Sequence, residues 1–381
     1  MQLHPPRSTD LVTIVLSLSF LIVAGGCGSK APKASVTAPS SPPLQSEFLY
    51  GVVGTEITAF TVNPTNGQVS IGPATPSSAE GNVVPDFTGK FLLVFSQPET
   101  AILGYTIDWS TGALTSVGGS PFPIVGTVTG NLVMSPTAEF AYVPTLAGLD
   151  AYELDRSSGT LTAIDGSPFS QSYTFYSAVV HPSGRFLYAD GLFSDGQIGL
   201  FQFSIDAATG ALTPIPPIPF YEYGLGTLVL TVDPSGKFLF QLSSNMGSFI
   251  SEFDPIPIDG TTGSLGPFLP QEVDAGGFCL VPDVTGRFAY QCNSYMIPEF
   301  YEPANSLDAY DIEPNSGFLN YINSYQLDST DFGIVLDPLG FLYLAQGGTL
   351  TTYKIGPAGD ITPSANPLNA SVGNLTVVTS H

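Results

Sequence analysis

A short phrase recurs along this chain and limits its fold more than any other feature. It reads EFLYGVV at Phe48, FTGKFLLVF at Phe91, PTAEFAYVP at Phe140 and HPSGRFLYAD at Phe186. It returns as DPSGKFLFQL at Phe238, DVTGRFAYQC at Phe288 and DPLGFLYLAQ at Phe341. The seven copies stand about 43 to 53 residues apart. A second phrase follows each of them: TVNPTNGQVS, TIDWSTGALT, ELDRSSGTLT, SIDAATGALT, PIDGTTGSLG, DIEPNSGFLN and KIGPAGDIT. Each is an apolar stretch, a polar turn with glycine, and a further stretch.

One repeat thus predicts four strands. Strand A is an apolar run such as LVLTV, Leu228 to Val232; a PSG-type turn leads to strand B, the FLY segment. Strand C is of the ITAFTV type, and strand D follows the TGxL turn. A four-stranded sheet of this length cannot bury both faces alone, whereas seven packed radially bury face against face. The prediction is an all-β fold, a seven-bladed β-propeller of four-stranded antiparallel blades. The first copy lacks a strand A of its own. The chain ends in VGNLTVVTSH, which resembles the strand A openings GNVVPD and GNLVMS. The C-terminal strand is therefore expected to complete the first blade and close the ring without a free edge.

Composition agrees, with 41 glycines, 34 prolines and 12% aromatics pointing to many turns and short strands. The formal net charge of −23 repels phosphate backbones and argues against nucleic acid as a partner. At the N-terminus, Arg7 precedes the apolar run Leu11 to Ala24, which suits a signal peptide and is short for a bilayer span. The run ends in AGGC, which resembles a bacterial lipoprotein cleavage site with Cys27 as the lipidated residue. The expected organisation is a signal peptide at 1–26, a lipidated Cys27 with a flexible Ser/Pro/Ala tether to 45, and the propeller at 46–381. This implies an exported protein held in the cell envelope, at the outer membrane, touching membrane only through its lipid and monomeric. Cys279 and Cys292 flank a predicted hairpin; in an exported protein such a pair suggests a disulfide, the alternative being two small buried thiols.

Histidine is scarce, and His181 is the one within a repeat. The other copies hold Ser135, Asp233 and Asp337 at its position, each before a proline. His181 is therefore read as a turn residue and not as a general base. No P-loop, Rossmann fingerprint, HExxH or CxxC is present. The GSPF phrases at Gly119 and Gly166 are read as blade-to-blade connectors.

VHPSGRFLYAD, LTVDPSGKFLF and SIDAATGALT resemble the repeats of lactonase-like seven-bladed propellers, the group of 6-phosphogluconolactonase and muconate-lactonizing enzymes. The resemblance covers residues 46–381. It implies Arg and His near the start of an inner strand, facing the central channel, with a nearby Glu. Here the strand A openings read EGN, TGN, YSA, GLG, GGF, DFG and VGN, and none supplies a cation for an anionic lactone. No catalytic or metal-binding residue is assigned.

The candidate ligand-binding residues lie at the channel mouth: Asn82, Asn131, Asp190, Glu222, Tyr223, Asp274, Tyr301 and Asp331. Aromatics with carboxylates suit a neutral glycan, a small molecule or an envelope protein. No cofactor is implied; Ca²⁺ is the one ion these oxygens could gather. The expectation is a non-catalytic ligand- or partner-binding module. The alternative is a lactonase or related hydrolase acting on a sugar or aromatic lactone at the mouth.

Overall fold

The computed structural model describes residues 47–379 except 97–99, 137–138, 194–195, 197, 220–228, 245–250, 270, 274–276, 298–301 and 328–331. The signal peptide, Cys27 and the tether lie outside the described residues. The described chain forms seven antiparallel sheets of four main strands. Blade 1 is made of Glu47–Val53, Glu56–Val62 and Val69–Pro76, with Gly373–Thr379 from the far end of the chain as its inner strand. The inner strands of blades 2 to 7 are Ala79–Pro85, Val133–Met134, Thr174–Val180, Val229–Val232, Gly277–Pro282 and Phe332–Leu336. Each inner strand packs against those of both neighbouring blades, and Gly373–Thr379 touches those of blades 2 and 7. The seven sheets thus close into a ring around an axis, sealed by pairing between the two ends of the propeller.

Seven apolar clusters fill the seven gaps between blades. Between blades 1 and 2, for example, Phe48, Tyr50 and Ile57 meet Leu92, Val94 and Tyr105. Between blades 7 and 1, Phe341 and Tyr343 meet Leu49 and Phe60. Along strand B the side chains alternate faces, so the Phe and Tyr of each FLY segment point to the next blade and the residue between them to the previous one.

The two repeated phrases turn out to be halves of one contact. The glycine of every strand C to D turn sits over the strand B phenylalanine of the preceding blade. Gly112 lies on Phe48, Gly263 on Phe186 and Gly359 on Phe288, and a Cβ at any of the seven would fall 2.2–2.8 Å from the ring. All seven glycines have φ between 69° and 83°, the left-handed region that favours glycine. Four strand B tyrosines extend the contact. The hydroxyls of Tyr50, Tyr142, Tyr188 and Tyr290 donate to the carbonyls of Gly112, Gly210, Gly263 and Gly359 at 2.9–3.0 Å.

His181 occupies the strand A to B turn of blade 4. The Ser183 amide donates to its Nδ1 at 3.0 Å, which places the ring proton on Nε2, and Nε2 donates to the Gly236 carbonyl of blade 5 at 2.9 Å. In blades 2, 5, 6 and 7 the carboxylates of Asp86, Asp233, Asp283 and Asp337 accept amides of the same turn. The histidine is thus a turn residue with both ring nitrogens engaged. Of the GSPF connectors, Phe122 is buried between blades 2 and 3 and Phe169 packs between blades 3 and 4. Cys279 and Cys292 stand opposite each other in blade 6, joined as a disulfide with Cα atoms 5.1 Å apart.

Candidate functional site

An antiparallel blade puts its A–B and C–D turns on one face of the ring, and its B–C loops and blade-to-blade connectors on the other. The chain from residue 47 onward has six lysines and arginines, and all of them belong to the turn face. Lys90, Arg185, Lys237 and Arg287 lie in A–B turns, Arg156 lies in a C–D turn, and Lys354 ends a strand C. Several act as fasteners between blades. Lys90 donates to the carbonyls of Arg156 and Ser157, and Arg185 to those of Gly260 and Thr261. Lys90, Arg185 and Arg287 also stack on the phenylalanine that follows each of them. The B–C face is left without a lysine or arginine.

On that face the inner strands begin irregularly. Those of blades 1, 2, 4 and 6 shift register near their starts, a bulge that turns side chains out of the regular alternation. Asn82 lies in the bulge of blade 2 and is half-buried, whereas Asn131 is exposed and stands two residues before its inner strand. Asp190 is in strand B of blade 4, only 2% exposed, and is not an open loop residue. Its carboxylate accepts the hydroxyl of Ser177, the cross-strand partner on the bulged inner strand. Burial outweighs this hydrogen bond and pushes the Asp190 carboxyl up to about 6. Glu222, Tyr223, Asp274, Tyr301 and Asp331 lie outside the described residues.

On the other face of the same blade, toward blade 3, Tyr173, Phe175, Phe193 and Phe201 meet with centroids 4.8–6.5 Å apart. On blade 3, Asp150 is fully buried and accepts the amide of Val125 at 2.8 Å, which pins the connector entering the blade.

Blade 6 carries a group that the repeat pattern did not single out. Gln291, Asn293, Ser306 and Asp308 are buried on one face of the strand B–C pair. Blades 2, 3, 4 and 7 have Val94, Val143, Ala189 and Leu344 where Gln291 stands, and blade 5 has a second buried glutamine there, Gln241. A buried polar group without a partner costs on the order of 1–3 kcal/mol. Both polar side-chain atoms of Gln291, Oδ1 of Asn293 and Oδ1 of Asp308 have no hydrogen-bond partner.

No family model matches the chain, and no curated protein matches it. Solved structures do. A candidate 6-phosphogluconolactonase from Bacteroides fragilis superposes with a TM-score of 0.67 at 16% identity, over 90% of this chain and 100% of that one. A periplasmic gluconolactonase from Pseudomonas aeruginosa gives 0.62 at 16%, over 88% and 100%. AztD from Citrobacter koseri gives 0.55 at 11%, over 88% and 99%. The class of protein is thereby fixed by architecture: a seven-bladed propeller with the fold of the lactonase-like group. At these identities the likeness speaks for the fold alone.

Proposed function

We propose that this chain is an envelope-tethered propeller, anchored through Cys27, that binds a neutral polyhydroxylated ligand such as a glycan on its B–C face without turning it over. One observation carries the reading. Every lysine and arginine from residue 47 onward belongs to the opposite face, so an anionic lactone would meet no counter-charge at the mouth. Asn82, with the residues expected from the sequence at the mouth, Glu222, Tyr223, Asp274 and Tyr301, would bring amide, carboxylate and aromatic groups, the chemistry that sugars accept. An envelope protein is the competing partner for the same surface. The test is a glycan array and a lactone panel run on the mature protein. Retention of neutral glycans with lactone hydrolysis at background is expected. A blank array at several salt concentrations, or lactone turnover lost in Glu222→Ala or Asp274→Ala, would overturn it. Cys27→Ser should release the protein from the membrane fraction.

A second reading has one specific observation in its favour. Asp190, held near 6 beside Ser177, has the proton affinity of a general base working close to neutral pH. In this reading it draws a proton from water attacking a neutral lactone. Activity rising through pH 6 in the wild type and absent in Asp190→Asn would support hydrolysis. Equal activity in the variant would remove it.

A further inference from the structure

We propose that blade 6 holds a hard divalent cation of the calcium type between itself and blade 5, bound by Asp308, Asn293 and Gln291. The inference stands independently of the glycan reading. Strand register assembles the site. Gln291 pairs with Asp308 and Asn293 with Ser306, so four polar side chains form a two-by-two patch on one face of the ribbon. Their exposures are 0%, 0%, 8% and 6% for Gln291, Asn293, Ser306 and Asp308.

The internal bonds of the patch use the amide of Asn293 and leave three oxygens over. Asn293 Nδ2 donates to Asp308 Oδ2 at 2.5 Å and reaches Ser306 Oγ at 3.5 Å. Asp308 Oδ1, Asn293 Oδ1 and Gln291 Oε1 have no partner. The described side chains on the facing wall of blade 5 are apolar apart from the Thr231 hydroxyl, and none is charged. Phe240 there packs on Leu280, Ala289 and Tyr310, and Pro255 lies against Gly317. Among the described residues no lysine or arginine forms an ion pair with Asp308.

The donor set selects the ion. One carboxylate, two carboxamide oxygens and a hydroxyl, with no sulfur or imidazole, suit calcium over zinc or copper. Water completes the shell and takes the remaining amide donor of Gln291. The Cys279–Cys292 disulfide links the same strand B to its neighbour, so the ligands sit on a braced ribbon. The chain's formal net charge of −23 also draws cations toward it. A single carboxylate predicts the weak affinity of extracellular calcium modules, roughly 10⁻⁴–10⁻³ M.

The test is thermal unfolding of the whole mature protein after chelator treatment, with calcium or magnesium added back. At 10 mM calcium the midpoint should rise by roughly 2–5 °C, and less with magnesium. Asp308→Asn should abolish the rise. No calcium response in the wild type, or an undiminished one in Asp308→Asn, would overturn the proposal. Should that variant fail to fold, Gln291→Leu decides. It should raise the midpoint of the metal-free protein, by removing two unpaired polar atoms, and weaken the calcium response at least five-fold. A calcium response unchanged in Gln291→Leu would equally overturn the site.

Discussion

At position 181 the chain places an imidazole where four other blades place a carboxylate. The exchange works because both groups accept amides of the turn that follows. The imidazole does more, since its Nε2–H also reaches the Gly236 carbonyl of the next blade. His181→Asp should therefore lose only that link, about 1 kcal/mol, while His181→Ala strips both bonds and leaves buried groups unpaired, about 2–3 kcal/mol. Urea denaturation of the two variants checks the order. Equal losses would mean that the turn does not depend on an acceptor. This role was legible in the sequence, because three other turns put a short polar residue before proline at the same position. The burial of Asp190 was not. The sequence shows a carboxylate at the end of an FLY segment, but only the folded blade shows Ser177 opposite it and the side chain almost wholly buried.

Among the elements, the strand C to D turn and the strand B phenylalanine form the unit on which the ring is built. Gly263 illustrates it, with φ of 75° and room for a Cβ only 2.2 Å from a ring carbon of Phe186. Gly263→Ala should cost roughly 2–4 kcal/mol, about 1–2 from the left-handed backbone and the rest from displacing the ring. Gly260→Ala, in the same turn with open space around it, is the control and should cost less than about 1 kcal/mol. Comparable losses for both would show that the turn tolerates no side chain for reasons other than the ring. The two repeated phrases were visible in the sequence as separate motifs. That they touch across blades could not be read there, because the contact joins residues some seventy positions apart.

For the whole molecule, the decisive place is the seam between blades 7 and 1, where closure depends on non-covalent pairing. Glu47 lies at this seam, 3% exposed, facing the carboxylate of Asp337. Burial first, and then the charge of Asp337, push its carboxyl up to about 8, from an ordinary value of 4.5. Between those values the native state holds a proton that the unfolded chain releases. This contribution to stability is fully present below about 4.5 and is lost as pH rises to about 8, a loss on the order of 5 kcal/mol. Glu47→Gln should flatten most of that slope in denaturation curves taken from pH 5 to 8; an unchanged slope would assign it to other groups. What the sequence determined by itself is the architecture: seven repeats, four strands in each, and closure by the tail. Each blade must make the same contact with its neighbour, so the same residues return at the same positions. What only the tertiary structure decided is which polar groups end up buried together, as at Ser177 with Asp190 and in the patch of blade 6. Strand alternation tells which way a side chain points, but the packing of one sheet on the next determines what it meets there.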